Sequence, residues 1–390
     1  MWNNYDPDKL TIGGATSATN AGTYVATFTP KGDYKWADGT KAAKSVNWTI
    51  GKAPGSFVLS KTALTLNIGS LSDTVDVIRE GDGAVSAVSS DSAIATVSVS
   101  GTQITVTALR DGNTIGGSAT ITVKVMEGTN HIATEIAVIF VTTIFFSPVL
   151  ADNTPKMIQE AARTGVAENY WNVGDRIPIT LNGEVGALTF NDETYYAFII
   201  GFNHNAEVEG NNTIHFQFGK NANGKDIVFE DIGSKAFYMN ASNTNKDGWE
   251  GSYMRTTICP AFLAALPAEW RDIIAPCTKY SDNTGGGSGA ASYVTATQDK
   301  IWILGEFEVL GKRSGANNAE QNYQKQYDYY KSGNSKIKYS YSNTNNVRGW
   351  WLRSVHAAET GYFRAVTTEG AVVASNAYSA GGFAPGFAVA

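Results

Sequence analysis

Residues 348–390 read RGWWLRSVHAAETGYFRAVTTEGAVVASNAYSAGGFAPGFAVA, and this stretch decides the fold of the C-terminal part of the chain. Trp350, Trp351 and Leu352 place three large apolar side chains in a row, which suits the start of a deeply buried strand. Arg353 follows as a planar donor whose fork can fix neighbouring loop carbonyls. Phe363, Val366 and Gly370 fall at the spacing of a β-hairpin, and Gly382, Phe383, Ala384, Pro385, Gly386 and Phe387 close the stretch with apolar anchors. Between the anchors the side chains follow no period. Fixed anchors with unpatterned residues between them predict a rigid scaffold that displays loop residues, the arrangement a recognition surface requires.

Upstream, YWNVGDRIPITLNGEVG from Tyr170 opens a larger unit of mixed strands and helices, assigned to 171–390. Helices are expected at Ala261–Ile274 and Ala319–Lys331, the latter with Tyr323, Tyr327 and Tyr330 on one face. Catalytic constellations are scarce. The four histidines, His131, His204, His215 and His356, include no i, i+4 pair, and neither HExxH nor GxSxG occurs. His204 and His215 sit on two expected strands joined by a Glu/Gly/Asn turn, where their rings can approach. A structural role is the favoured reading, with a metal site completed by Glu207 or Glu209 as the alternative. Glu306 and Glu308 alternate along IWILGEFEVLG, so as a strand they would share one face and need a cleft to act as an acid/base pair. The run Gly285, Gly286, Gly287, Ser288, Gly289 lacks a following Lys-Ser/Thr and reads as a flexible loop, not a phosphate cradle. Two cysteines, Cys259 and Cys277, are too few for a cystine-stapled scaffold or a thiolate metal site, although a single bridge between them is conceivable.

Further toward the N-terminus the texture becomes β throughout. Residues 1–53 hold NAGTYVATFTPKGDYKWADGT and VNWTIGKA, period-two strands between Gly and Asp turns. Residues 54–148 add strands through Leu64, Leu66 and Ile68, then Val75, Val85, Ile94, Ile104 and Thr120–Val125, with Ser90-Asp91 at a turn. The apolar stretch Ile132–Leu150 carries Glu135 and Pro148 and is rich in β-branched residues, so it reads as a buried strand instead of a membrane span. Residues 149–170, with Pro155 at a first helical turn and Ile158, Ala161 and Ala162 at helical spacing, read as a connector helix.

Composition narrows the class. Charged residues make up 17% of the chain, Gly numbers 40, and aromatics reach 11%, a mixture that favours short strands and many turns. The net charge of -6 with scattered Lys and Arg gives no footprint for nucleic acid or anionic lipid. Met1 is followed by Trp2, Asn3 and Asn4, so no signal peptide is read at this end.

GWWLRS, then the F.AV...G spacing, then GFAPGFAV resemble the final part of the C-type lectin-like domains of phage and bacterial surface proteins that carry a WWLRS signature. YAFIIGFNHNAEVEGNNTIHFQFGK, NTNKDGWEGSYMRTTICPAFLAALP and TKYSDNTGGGSGAAS look like the rest of that domain. LSKTALTLNIGSLSDTV and SSDSAIATVSVSGTQITVTAL resemble bacterial Ig-like modules of group 2, and residues 1–53 resemble part of another Ig-like repeat. The resemblance therefore implies a multidomain, mainly β chain, in which Ig-like β-sandwich modules precede an α+β C-type lectin-like domain. Some members resemble the variable proteins of diversity-generating retroelements. In that light the displayed positions would be Val355, His356, Ala358, Glu359, Gly361, Tyr362, Arg364, Ala365, Thr367, Glu369, Ala371, Val373, Ala374, Ser375, Tyr378, Ala380 and Gly381. The frame would be Trp350, Trp351, Leu352, Arg353, Phe363, Val366, Gly370, Gly382, Phe383, Pro385 and Phe387. Val355 departs from the pattern, standing where Pro is expected after LRS.

The implied function is ligand or receptor binding at a phage tail or cell surface, directed at a host-cell surface protein or glycan. Homo-oligomers or virion tail components are further partners, and no cofactor, metal, nucleic acid or membrane span is implied. Calcium-lectin EPN and WND motifs are absent, and the tail lacks the cysteines of the related formylglycine-generating enzymes. Two alternatives stand beside this reading. One is a structural decoration or tail-fibre component; the other is a glycan- or cell-wall-active enzyme with a deep pocket converging on His204, His215 or Glu306.

Overall fold

The computed structural model describes residues 2–67, 70–109, 116–230 and 237–390, so Ile68 of the expected strand lies outside the described residues. The chain is mainly β and forms two compact units, Met1–Phe145 and Phe146–Ala390.

The first unit opens with an antiparallel sheet of β1 (Leu10–Gly14), β2 (Gly22–Pro30) and β3 (Lys44–Ile50). Among its described residues only Ala26 is fully buried, and its cohesion comes from the aromatic contacts of Trp2, Tyr24, Phe28 and Trp48. A three-stranded sheet with so little core has small stability of its own. Eight strands follow: β4 (Phe57–Leu59), β5 (Ala63–Asn67), β6 (Ser72–Arg79), β7 (Val85–Ser89), β8 (Ala95–Ser100), β9 (Gln103–Ala108), β10 (Gly116–Val125) and β11 (Ala137–Ile144). They make two sheets, β4-β6-β9-β8 and β5-β11-β10-β7, with β5 parallel to β11. Alternate residues such as Leu64, Leu66, Val75, Ile104, Ile121 and Ile139 meet in one core. The Ser90-Asp91 turn is fixed by the Ala93 N–H donating to Asp91 Oδ1. β11, expected to be buried, is buried on one face only. Phe140 is 62% exposed, because a sandwich sheet packs its inner face and leaves the outer one to water. No helix is long and apolar enough to cross a membrane among the described residues.

In the second unit α1 (Pro155–Arg163) is capped by Thr154 and carries Pro155 in its first turn. It is an integral part of this unit, since it buries Ile158, Ala161 and Ala162 and its Gln159 Nε2 donates to the Ala390 carbonyl. The main sheet starts with β12 (Arg176–Val185) and β13 (Leu188–Phe202). After the short helix α2 (Ala206–Glu209) it adds β14 (Ile214–Lys220). Next come β15 (Ile227–Val228), α3 (Cys259–Ala265) and α4 (Ala268–Ile273). The single helix expected over 261–274 is thus two, broken at Leu266-Pro267, because a residue before proline is driven out of the helical region. Cys259 and Cys277 are buried free thiols, not a bridge.

β16 (Ile274–Ala275), β17 (Cys277–Asp282), β18 (Val294–Asp299) and β19 (Trp302–Ile303) follow, then α5 (Glu306–Leu310). Here the expected strand is corrected. IWILG ends its strand at Ile303, and the Glu308 carboxylate accepts the Gly305 N–H to start a helix, so Glu306 and Glu308 do not alternate on a strand face. The helix expected over 319–331 reduces to a 3-10 turn at Asn318–Asn322 and α6 (Asp328–Lys331). Its Asn and Tyr residues are weak helix formers, and Gln324 and Tyr327 are drawn into buried polar contacts. The remaining strands are β20 (Lys338–Ser340), β21 (Val347–Arg348), β22 (Trp350–Val355), β23 (Tyr362–Val366), β24 (Val372–Asn376) and β25 (Pro385–Val389). β25 threads back into the main sheet, pairing with β14, β16 and β19. A strand placed there is covered on both faces, which accounts for the unbroken small and apolar run PGFAV, and Phe387 stacks on Phe216 at 5.2 Å.

Candidate ligand-binding face of the C-terminal sheet

β22, β23 and β24 form an antiparallel sheet fixed mainly from the β22 side. Trp350 Nε1 donates to the Lys336 carbonyl and Trp351 Nε1 to that of Phe237, so both indoles are buried with their polar atoms satisfied. Arg353 does more than hold loop carbonyls. Fully buried, it grips both oxygens of Glu308, donates from Nε to Ser281 Oγ at 2.9 Å, and reaches the Ile303 carbonyl at 3.0 Å. Glu308 in turn lies 3.5 Å from Lys279 Nζ, which also contacts Glu209 at 2.6 Å and the Tyr327 hydroxyl at 2.9 Å. Burial alone would push the Glu308 carboxyl up, but Arg353 and Lys279 hold it well below the usual carboxylate range. Two cations therefore face two carboxylates in a sealed layer below β22. Beside it Ser354 Oγ donates to Glu320, whose carboxyl burial raises to about 7.

His204 and His215 approach to 5.6 Å between ring centres, and burial keeps both imidazoles neutral, with His204 lowered to about 3. Glu209, His215 and Cys277 converge closely enough to hold a metal ion, as do His204, Glu209 and Glu308. Glu209, common to both groups, already has a cationic partner in the Lys279 ammonium at 2.6 Å. Glu207 is exposed and outside both groups.

The frame residues Trp350, Trp351, Leu352, Arg353, Phe363, Val366, Gly382, Phe383, Pro385 and Phe387 are all buried, and Gly370 turns the β23–β24 hairpin at φ 80°. Gly382 is held by close approach, since a Cβ there would stand 2.8 Å from the Gly349 carbonyl oxygen. The residues expected on display divide into three groups. Ala358, Glu359, Glu369, Ala371, Val373, Ala374, Tyr378 and Ala380 are exposed, whereas His356, Tyr362, Thr367, Ser375 and Gly381 are half-buried. Val355, Gly361, Arg364 and Ala365 are buried and are not displayed. Val355 is the last residue of β22, paired with Phe363, and forms no loop. Gly361 is closed in by Asn243, and Ala365 belongs to the central strand. Arg364 points inward to the Glu306 carboxylate, and Glu306 also accepts the N–H groups of Ser314, Gly315 and Ala316. Glu306 is thus an anchor for that loop, satisfied on all sides.

Two supports lay hidden in the sequence. The buried Asn245 amide donates to the carbonyls of Glu359 and Tyr362, clamping the β22–β23 loop, and its Oδ1 accepts the Gly286 N–H. The glycine run is no free loop. Gly287 packs on Ala358 and Thr360 and Gly289 on Ala357, with left-handed backbone at both. On the outer face Tyr378 sits 6.1 Å from Tyr238, which stacks on Tyr253 at 4.7 Å. Next to β23 and β24 opens a cleft of about 490 Å³, floored by Trp351, Phe237, Val366 and Val373 and bounded by the Glu230–Arg348 ion pair at 2.7 Å. Its lining includes six of the positions expected on display: Ala365, Thr367, Val373, Ser375, Ala380 and Gly381. An apolar floor with one ion pair at its margin suits a ligand that presents both apolar and polar groups.

Residues 223–390 match a family model described as a domain of unknown function, DUF6273. Comparison with curated proteins returns no match. Among solved structures, the chain is similar to the E. coli chaperone DraB, at 14% identity over 38% of this chain and 91% of that one, with a TM-score of 0.21. It is similar to the periplasmic chaperone SfaE at 10% identity, covering 42% and 92%, TM-score 0.20. A protocadherin gammaB7 EC3-6 structure gives 10% identity, 54% and 62% coverage and a TM-score of 0.23. Likenesses of this extent identify neither an activity nor a ligand.

Proposed function

We propose that this chain is a surface-displayed binding protein, carried by a phage tail or a cell surface, whose C-terminal domain is C-type lectin-like and engages a host-cell protein or glycan. In this reading the Ig-like modules act as a stalk, and the head presents the outer face of β23 and β24. The observation that carries it is the separation of roles along one short stretch. Anchors in β22 and β25 are buried, while most of the unpatterned residues between them reach solvent or line the 490 Å³ cleft. A rigid floor under variable side chains lets affinity change without refolding the domain. Tyr362 and Tyr378 supply the aromatic contact area typical of binding hot spots. Diversification of the exposed positions by a retroelement belongs to the same proposal.

The test is adhesion of the purified protein to host cells. Alanine replacement of Tyr378 together with Val373 should weaken binding roughly tenfold or more while leaving the unfolding transition in place. Unchanged adhesion with the same melting behaviour would sink the proposal. Protection of these two side chains only inside an assembled particle would favour the structural-component alternative.

A further inference from the structure

Lys338, on β20, is fully buried, and its Nζ has no hydrogen-bond partner among the described residues. An ammonium left unpaired in an apolar interior is costly, and its neutral form is favoured. Burial lowers Lys338 to about 8; Asp226 opposes the drop in part and Lys220 adds to it. A neutral lysine amine carries a free lone pair, and desolvation beside a second cation is the setting that makes it a nucleophile.

The strand layout decides what that amine faces. β15 and β20 run parallel with Ile227 opposite Tyr339, so Asp226 and Lys338 stand side by side at the head of the pair. The Tyr339 N–H donates to the Asp226 carbonyl at 2.9 Å, which holds this register. Lys338 Nζ lies 3.9 Å from Asp226 Oδ1, with the Phe198 and Trp350 rings at 5.4 and 5.3 Å from the same nitrogen. The carboxylate is already gripped from elsewhere. Its Oδ1 accepts from Lys220 Nζ at 2.8 Å and its Oδ2 from the Tyr329 hydroxyl at 3.3 Å, while Lys220 also donates to that hydroxyl at 3.1 Å. Lys220 is thus engaged by several acceptors and keeps its proton, whereas Lys338 is surplus to the ion pair.

We infer that Lys338 and Asp226 join in an intramolecular isopeptide bond, with Lys220 and Tyr329 delivering the proton the reaction consumes. The Lys338 lone pair attacks Asp226 Cγ, and the C–N bond forms while Oδ1 takes up charge beside the Lys220 ammonium. Oδ2 leaves as water. One of its protons comes from the Lys338 amine and the other from Lys220 through the Tyr329 hydroxyl, and nothing is oxidised or reduced. Lys220 recovers its proton from solvent, which its 10% exposed side chain reaches. The fold supplies the proximity, since well-oriented intramolecular reactions reach effective molarities of about 10⁵–10⁸ M. Burial then shields the amide from hydrolysis. The bond pins β20, whose neighbour β21 carries Arg348 at the margin of the 490 Å³ cleft.

The experiment is intact-mass spectrometry of the full chain after incubation at about pH 9, where the Lys338 amine is mostly neutral. The wild type is expected to weigh one water less than its sequence, and tryptic digestion should release a branched peptide joining Lys338 to Asp226. Lys338→Met should show the full mass of its own sequence. Lys220→Met should slow the loss of water roughly tenfold or more with the unfolding transition still present. Full sequence mass in the wild type would overturn the inference, and so would a lost water traced to another site, such as a succinimide at Asp38-Gly39. The wild-type mass and its branched peptide decide the matter whether or not a variant folds.

Discussion

β22 and β24 flank the same central strand, yet all six residues of β22 are buried and none of the five in β24 is. Both pair with β23 in antiparallel register, so the backbone ladder does not distinguish them. What differs is the layer beneath. Under β22 lie the Arg353–Glu308 pair, Lys279 and two satisfied indoles, whereas the outer face of β24 meets water and the open cleft. Two strands of one sheet therefore tolerate substitution very differently, because the cost of a change depends on what the side chain leaves unpaired or unpacked.

The comparison breaks first, and most severely, at Arg353. Replacing it with Met leaves the Glu308 charge buried with Lys279 as its main partner, a change worth about 3–5 kcal/mol. Urea denaturation followed by tryptophan fluorescence should show the second unit destabilised by that amount or no longer folding. The double variant Arg353→Met/Glu308→Leu should recover part of the loss, because it removes both charges of the pair. A single variant as stable as the wild type would mean that the buried layer does not hold β22.

A smaller effect should appear as a pH dependence at Glu320. Its folded-state value of about 7 lies above the ordinary 4.5, because burial outweighs the hydrogen bonds from Ser354 and the Asp282 backbone. Between those values the folded chain keeps a proton that the unfolded chain has released. Stability is therefore full below about pH 4.5, falls as pH rises toward 7, and stays lower above it. Glu320→Gln should remove this slope, gaining up to about 3 kcal/mol relative to wild type at pH 8 and nothing at pH 4. Parallel pH profiles for the two proteins would show that Glu320 is not the group responsible.

The same contrast explains which parts of the fold were legible. Apolar anchors such as Trp350, Phe363 and Phe387 announce themselves, because large apolar side chains at strand spacing have few places to go but inward. The buried charges do not. Lys279, Glu209 and Glu308 belong to residue types that are seldom buried, and their partners lie far along the chain, so only the tertiary fold reveals that they neutralise one another. Arg364 hides its burial for the same reason, and the alternation along IWILGEFEVLG masks the helix that starts at Gly305 and carries its partner Glu306. Pro267 was a visible signal of the broken helix. The glycine run was visible too, but its packing against Ala357 and Ala358 depends on the Asn245 clamp, which sequence spacing does not encode.

The finest division falls between two valines on adjacent strands. Val366, on β23, is 1% exposed, while Val373, directly paired with Ala365 from β24, is 41% exposed. Serine at Val366 buries a hydroxyl and removes packing, and should cost about 2–3 kcal/mol. Serine at Val373 should stay within about 0.5 kcal/mol of wild type by the same denaturation assay. If both substitutions cost alike, the outer face of β24 is packed in solution, and it is not a surface on which side chains can vary freely. If Val373→Ser is silent for stability yet lowers adhesion, the outer strand and the buried one divide binding from folding within a single sheet.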